Sequence, residues 1–174
     1  MKKFLLALLL GVCAAQVQAA VSDSIIVRVT ASGTKGVSID VPEIDLGVRS
    51  VGANNVISTV PITVTNTGTV SSSWGLRVDN AGTAWSVGNS AGPNTYSMQA
   101  VFNSVQAISD DFNIVEDNLS TVDQQCISLG KFGADESCLD VPVSGVRHLW
   151  LNLDMPTTSS STAEQQIGIV ITAL

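Results

Sequence analysis

Histidine occurs once in these 174 residues, tyrosine once and cysteine three times, and only 13% of the chain is charged. Each scarcity closes off a class of chemistry. A structural zinc site takes four Cys or His ligands; here Cys13 falls in an apolar leader, so only Cys126, Cys138 and His148 remain, too few for one site. Lys and Arg together number eight against 15 acidic residues, a net charge of −7. An acidic chain repels phosphate backbones and anionic membrane surfaces, so nucleic acid is excluded as a natural partner. Beyond the first 15 residues no apolar run approaches the roughly 20 needed to span a bilayer, so no membrane span is expected.

What is present begins with that leader. Met1-Lys2-Lys3 is a short basic start, Phe4 to Ala15 is apolar, and Val17-Gln18-Ala19 places small residues before a cleavage point. This is the layout of a secretory signal peptide over residues 1–19, which predicts export and a single mature domain over 20–174. Leu10-Gly11-Val12-Cys13 also has the outline of a lipoprotein box, a second route of processing. Removing Lys2 and Lys3 with the leader leaves six basic residues against 15 acidic, net −9. Cys126 and Cys138 then have only one intramolecular pairing, and an oxidising compartment favours the disulfide.

The rest alternates in period two, the signature of half-buried strands. Ile25, Val27 and Val29 alternate with Ile26, Arg28 and Thr30; Val37, Ile39 and Val41 with Ser38 and Asp40. Val56 to Thr65 places Val56, Val60, Ile62 and Val64 on one face. Trp74, Leu76 and Val78 share another. Tyr96 to Phe102, Leu149 to Leu153 and Ile167 to Ile171 continue the pattern. Asn66-Thr67-Gly68, Asn80-Ala81-Gly82 and Gly92-Pro93-Asn94 supply turn chemistry between the runs. Seven to nine strands without crossover helices predict an all-β fold, a single antiparallel Ig-like sandwich. Pro61, which cannot donate to a ladder, suggests that its strand lies at a sheet edge. Helical spacing shows only faintly, around Asn113 to Gln125.

One stretch escapes the alternation. Residues 104–140 hold Asp110, Asp111, Glu116, Asp117, Asp123, Asp135, Glu136 and Asp140 against Lys131 alone, together with both mature cysteines. It reads as a long acidic insertion tied by a disulfide. Asp110, Asp111, Glu116 and Asp117 are weak calcium candidates, oxygen ligands without a D-x-D-x-D-G loop; no other cofactor is implied.

Catalytic patterns are present only by letter. Gly88-Asn89-Ser90-Ala91-Gly92 matches a nucleophile elbow, but Pro93 and a strand stand where the following helix belongs. Ser128-Leu129-Gly130-Lys131 matches S-x-x-K without its companion motifs. His148 has no catalytic partner nearby in sequence. Lys35 and Lys131 are the only candidates for a covalent crosslink to Asn, and neither lies in a clear apolar strand. The expectation is a protein that is not an enzyme. Trp150, opposite the Leu149, Leu151 and Leu153 face, either points outward to a sugar or another subunit or lies beneath the insertion. Trp150 and Trp85 are the candidate contacts for a sugar.

Pro42-Glu43-Ile44-Asp45-Leu46-Gly47, Val51-Gly52 and Val60-Pro61-Ile62-Thr63-Val64-Thr65-Asn66-Thr67-Gly68 resemble a recurrent signature of bacterial secreted Ig-like modules, with Leu46 where those modules usually carry Phe. More loosely, an exported strand-rich chain with this N-T-G turn is similar to the TasA-like matrix-fibre and pilin groups. The resemblance implies a sandwich fold and a role at the cell surface. Combined with the composition, it leads to an expected structural or adhesive subunit of an extracellular fibre or biofilm matrix, whose partners are copies of itself or other surface proteins. In that reading Ser22 to Ala31, followed by a flexible Ser32 to Gly36, leaves its own sandwich, and Ile25, Val27 and Val29 fill a neighbour's core. The alternative is a monomeric secreted module that binds carbohydrate or calcium.

Overall fold

The computed structural model describes residues 26, 28–30, 32–81 and 83–174. The chain divides into two units, residues 1–31 and 32–174. The leader, Ile25, Val27, Ala31 and Gly82 lie outside the described residues, so the signal peptide and two of the three proposed donor side chains do too.

Residues 32–174 are all-β, arranged as two sheets. The strands are β1 (Val37–Ile39), β2 (Val56–Ile57), β3 (Ile62–Asn66), β4 (Trp74–Asp79), β5 (Ser86–Val87), β6 (Thr95–Phe102), β7 (Gln124–Gln125), β8 (Val146–Asp154) and β9 (Gly168–Ala173). One sheet runs β1-β3-β8-β6-β5, with β2 also on β8; the other runs β7-β4-β9. Pairing is antiparallel except for β5 on β6, a two-residue parallel contact, which departs from the all-antiparallel expectation. It needs no crossover helix because only Ser86 and Val87 take part.

Alternation places the core where the pattern puts it. Val64, Trp74, Leu76, Val78, Tyr96, Phe102 and Leu149 are buried between the sheets, and Trp74 tilts against Phe102 with ring centroids 5.6 Å apart. Tyr96, also inside, has its hydroxyl pushed far up by desolvation and hydrogen-bonded to Asn80 Oδ1.

Four expectations need correction. Val56 to Thr65 is two strands rather than one: β2 and β3 lie on successive stretches of β8, and the chain between them steps out of the ladder. Ser58 takes the place of regular pairing, donating its amide to the Leu151 carbonyl and accepting the Leu151 amide at Oγ. Val60 is consequently 52% exposed instead of joining the core face. Pro61 precedes an interior strand, since β3 lies between β1 and β8; proline is tolerated there because the break has already removed the need for its amide. No α-helix forms over 113–125. Only a 3-10 turn, Ser109–Asp111, and one further turn, in which the Asn113 carbonyl accepts the Glu116 and Asp117 amides, are present there. From Asp117 on, the backbone groups that would continue the helix bond to β6 and β4 instead, the Asp117 carbonyl to the Ala100 amide, the Leu119 amide to the Met98 carbonyl and the Ser120 carbonyl to the Val78 amide.

The fourth correction concerns Ser32 to Gly36. Thr34 donates its amide to Thr69 Oγ1 and accepts the Thr69 amide, and the Gly36 carbonyl accepts the Thr67 amide. These residues are zipped to the β3–β4 turn. A Cβ on Gly68 would sit 2.5 Å from the Thr34 carbonyl oxygen, so glycine is required for this close approach. Any departing segment must therefore begin before Thr34.

Candidate functional site

Asn66 shows how the N-T-G turn is fixed. Its Nδ2 donates to the carbonyls of Val70, Val141 and Pro142 at 3.0, 2.9 and 3.2 Å, and its Oδ1 accepts the Gly68 amide. One buried side chain thus ties the β3–β4 turn to the segment entering β8. The motif is structural in its contacts.

The insertion closes one flank of the sandwich. Asp117 and Leu119 bond to β6 at Ala100 and Met98, Phe132 and Ala134 bond to Phe102, and β7 pairs with β4 while Cys126 bonds to Trp74. Cys126 and Cys138 are disulfide-bonded with Cα atoms 5.8 Å apart. Closing a loop of this size contributes about 3 kcal/mol, and it holds Phe132 and Cys138 in the core.

That cover decides the fate of Trp150. It is 5% exposed, packs with Val101, Ala107 and Phe112, and donates Nε1 to the Asn103 carbonyl at 2.8 Å. Of the two readings of this side chain, the outward ligand contact is ruled out: the insertion buries the outer face of β6 and β8. Trp85 is half-buried, with Nε1 bonded to Ser159 Oγ and its ring tilted against Tyr96; its polar handle is already occupied.

The acidic candidates do not converge. Asp110 is exposed. Asp111 Oδ2 accepts the Ile108 amide and Asn103 Nδ2, and Glu116 meets Lys131 through its carbonyl, not its carboxylate. Asp117 points inward. Among the described residues no three His, Cys, Asp or Glu side chains are grouped to hold a metal. An open depression lined by Asn103, Val105, Ile108, Asp110, Asp111 and Asp135 lies beside them. Asp111 accepts from Ile108 and Asn103 and Asp135 from Ser104, while among the described residues Asp110 meets only Ser109 Oγ at 3.5 Å.

Asp117 has a measurable consequence. Desolvation raises its carboxyl to about 6, partly offset by the Asn113 amide, and its Oδ1 has no partner among the described residues. A carboxyl raised on folding binds more protons in the folded state between about pH 4 and 6. Its contribution to stability is therefore full below the unfolded value and lost as pH rises through 6. Denaturant midpoints taken across that range should fall with pH, and Asp117→Asn should flatten the fall; an unchanged slope in the variant would show that another group carries it.

Serine chemistry is not assembled. Ser90 is exposed in the β5–β6 loop, while His148 on β8 has Glu136 as its side-chain partner, Nδ1 to Oε2 at 3.3 Å. Lys131 Nζ bonds to the Glu116 carbonyl and to Gln124 Oε1 and lies 4.0 Å from the Phe132 ring centroid. It organises the insertion.

The remaining candidate is the segment before Thr34. Of its alternating residues, Ile26 is 81% and Val29 88% exposed. No helix among the described residues is long and apolar enough to cross a membrane. The chain matches no protein-family model, no curated protein and no solved structure.

Proposed function

We propose that this chain is an exported, non-enzymatic structural subunit that joins copies of itself at the cell surface, the Ser22 to Ala31 segment of one copy adding as a strand to the next. The observation that carries this reading is the exposure of Val29, one of the three donor residues, immediately before a chain locked at Thr34. Exposed apolar side chains on an alternating, strand-favouring segment lower their free energy by entering a sheet with a buried face. The low charge of the strands and the leader at the N-terminus support the same reading. For the carbohydrate- or calcium-binding alternative, which rests on Trp150, Trp85 or the acidic insertion, Trp150 is buried and Trp85 is half-buried.

Deleting Ser22 to Ala31 tests it. The shortened chain should unfold cooperatively, as a folded domain does, yet elute as a monomer at concentrations where the full mature chain forms oligomers or fibres. Polymers that persist after the deletion would end the strand-addition reading.

A further inference from the structure

The two flanks of the sandwich are treated differently. On one, the insertion bridges β6 and β4. On the other, β1 and β9 lie near one another, and among the described residues no strand pairs with the outer side of either. We infer that the outer edge of β9 is the acceptor for the Ser22 to Ala31 segment of a second copy, an inference that rests on the strand-addition reading above.

Backbone geometry makes β9 suitable. Its register against β4 places Trp74 opposite Ala173 and Val78 opposite Ile169, and the Leu174 amide donates to the Ser73 carbonyl at 2.8 Å. Alternation along an antiparallel ladder then turns the amides and carbonyls of Gly168, Val170 and Thr172 toward β4. Those of Ile169, Ile171 and Ala173 face the open edge. The same residues turn their side chains to the core, and with Ile167 they form a half-buried apolar row. An added strand there would satisfy the free backbone groups and cover that row in one step.

The other edges do not offer this. β1 has three residues, and β2, β5 and β7 have two each. Asp40, Pro42 and Glu43 follow β1, and Asp123 precedes β7, the kinds of residue that block edge pairing. β9 has six residues, GIVITA, without a charge or a proline. At about 3.3 Å per residue it spans roughly 20 Å, and the ten-residue Ser22 to Ala31 segment is long enough to cover it.

Cysteine crosslinking between copies tests the assignment, since Cys126 and Cys138 are already paired. Chains carrying Thr30→Cys are mixed with chains carrying Val170→Cys or Thr172→Cys on β9, or Ser38→Cys on β1, under mild oxidation. Covalent dimers should form with a β9 variant at least tenfold above the Ser38 level. Dimers at Ser38 alone, or none at β9 while polymers still need Ser22 to Ala31, would overturn β9 as the acceptor and leave strand addition standing. A chain carrying both Thr30→Cys and Thr172→Cys that crosslinks only within itself would also overturn it, because the segment then closes its own edge. Polymers indifferent to loss of Ser22 to Ala31 would instead defeat the underlying reading. Ile171→Pro gives an independent check: it removes an amide that β4 does not use, and should cut polymer yield at least tenfold while cooperative unfolding is kept. Undiminished polymers in a folded Ile171→Pro chain would count against the inference.

Discussion

Trp74→Ala should lower the unfolding free energy by about 3–5 kcal/mol, the cost of emptying a large aromatic site in a core. Trp74 is fully buried on β4, the middle strand of the smaller sheet, and its ring packs on Phe102 from the opposite sheet. It also sits where the insertion is attached, its amide donating to the Cys138 carbonyl and its carbonyl accepting the Cys126 amide. Loss of the ring therefore leaves a cavity shared by both sheets and the disulfide loop, where collapse is constrained. Since a domain of this size has only about 5–15 kcal/mol in total, the variant should be marginal at 37 °C. Urea unfolding checks it, with Trp85→Ala as the contrast. Trp85 is half-buried at the β5 edge, and its removal should cost well under half as much. Equal losses would mean that the core is not centred on Trp74.

Asn66→Asp should be of similar severity, although it changes hardly any volume. The Asn66 amide group donates to three backbone carbonyls, that of Val141 buried and those of Val70 and Pro142 part-buried. A carboxylate supplies no donor and sets negative charge against those oxygens. Each buried acceptor left without a partner costs about 1–3 kcal/mol, more where a charge is involved. The expected loss is at least about 3 kcal/mol at pH 7, narrowing in acid as the new carboxyl takes up a proton and regains one donor. Asn66→Ala, which removes the donors without adding charge, should fall between this variant and the parent. An Asn66→Asp chain with parental urea midpoint at neutral pH would refute the assigned contacts.

Much of the sandwich was legible because period-two alternation records which residues of a strand face a core. Trp74, Leu76 and Val78 on β4, and Leu149, Leu151 and Leu153 on β8, are buried as that pattern predicts. What local pattern cannot record is a second cover. Ser97, Gln99 and Val101 on β6 are buried as well, because the insertion folds back over them, Ala107 and Phe112 against Val101 and Asn118 Oδ1 accepting from Ser97 Oγ. Trp150 was ambiguous for the same reason. The faint helical spacing over 113–125 yields only one turn, Asn113 to Asp117, because from Asp117 on the backbone bonds to β6 and β4. Pro61 signals an edge by its missing amide, yet it precedes an interior strand because Ser58 breaks the ladder before it. The candidate site divides along the same line. The apolar alternation of Ile25, Val27 and Val29 is visible in the letters, but that no strand among the described residues pairs with the outer side of β9 emerges only from the sheet order.

Self-assembly is the central claim, and it is tested most directly by size-exclusion chromatography with negative-stain imaging of the protein recovered from outside its native cells. The account predicts fibres, or a ladder of oligomers that grows with concentration. A concentration-independent monomer of the mature mass would contradict it.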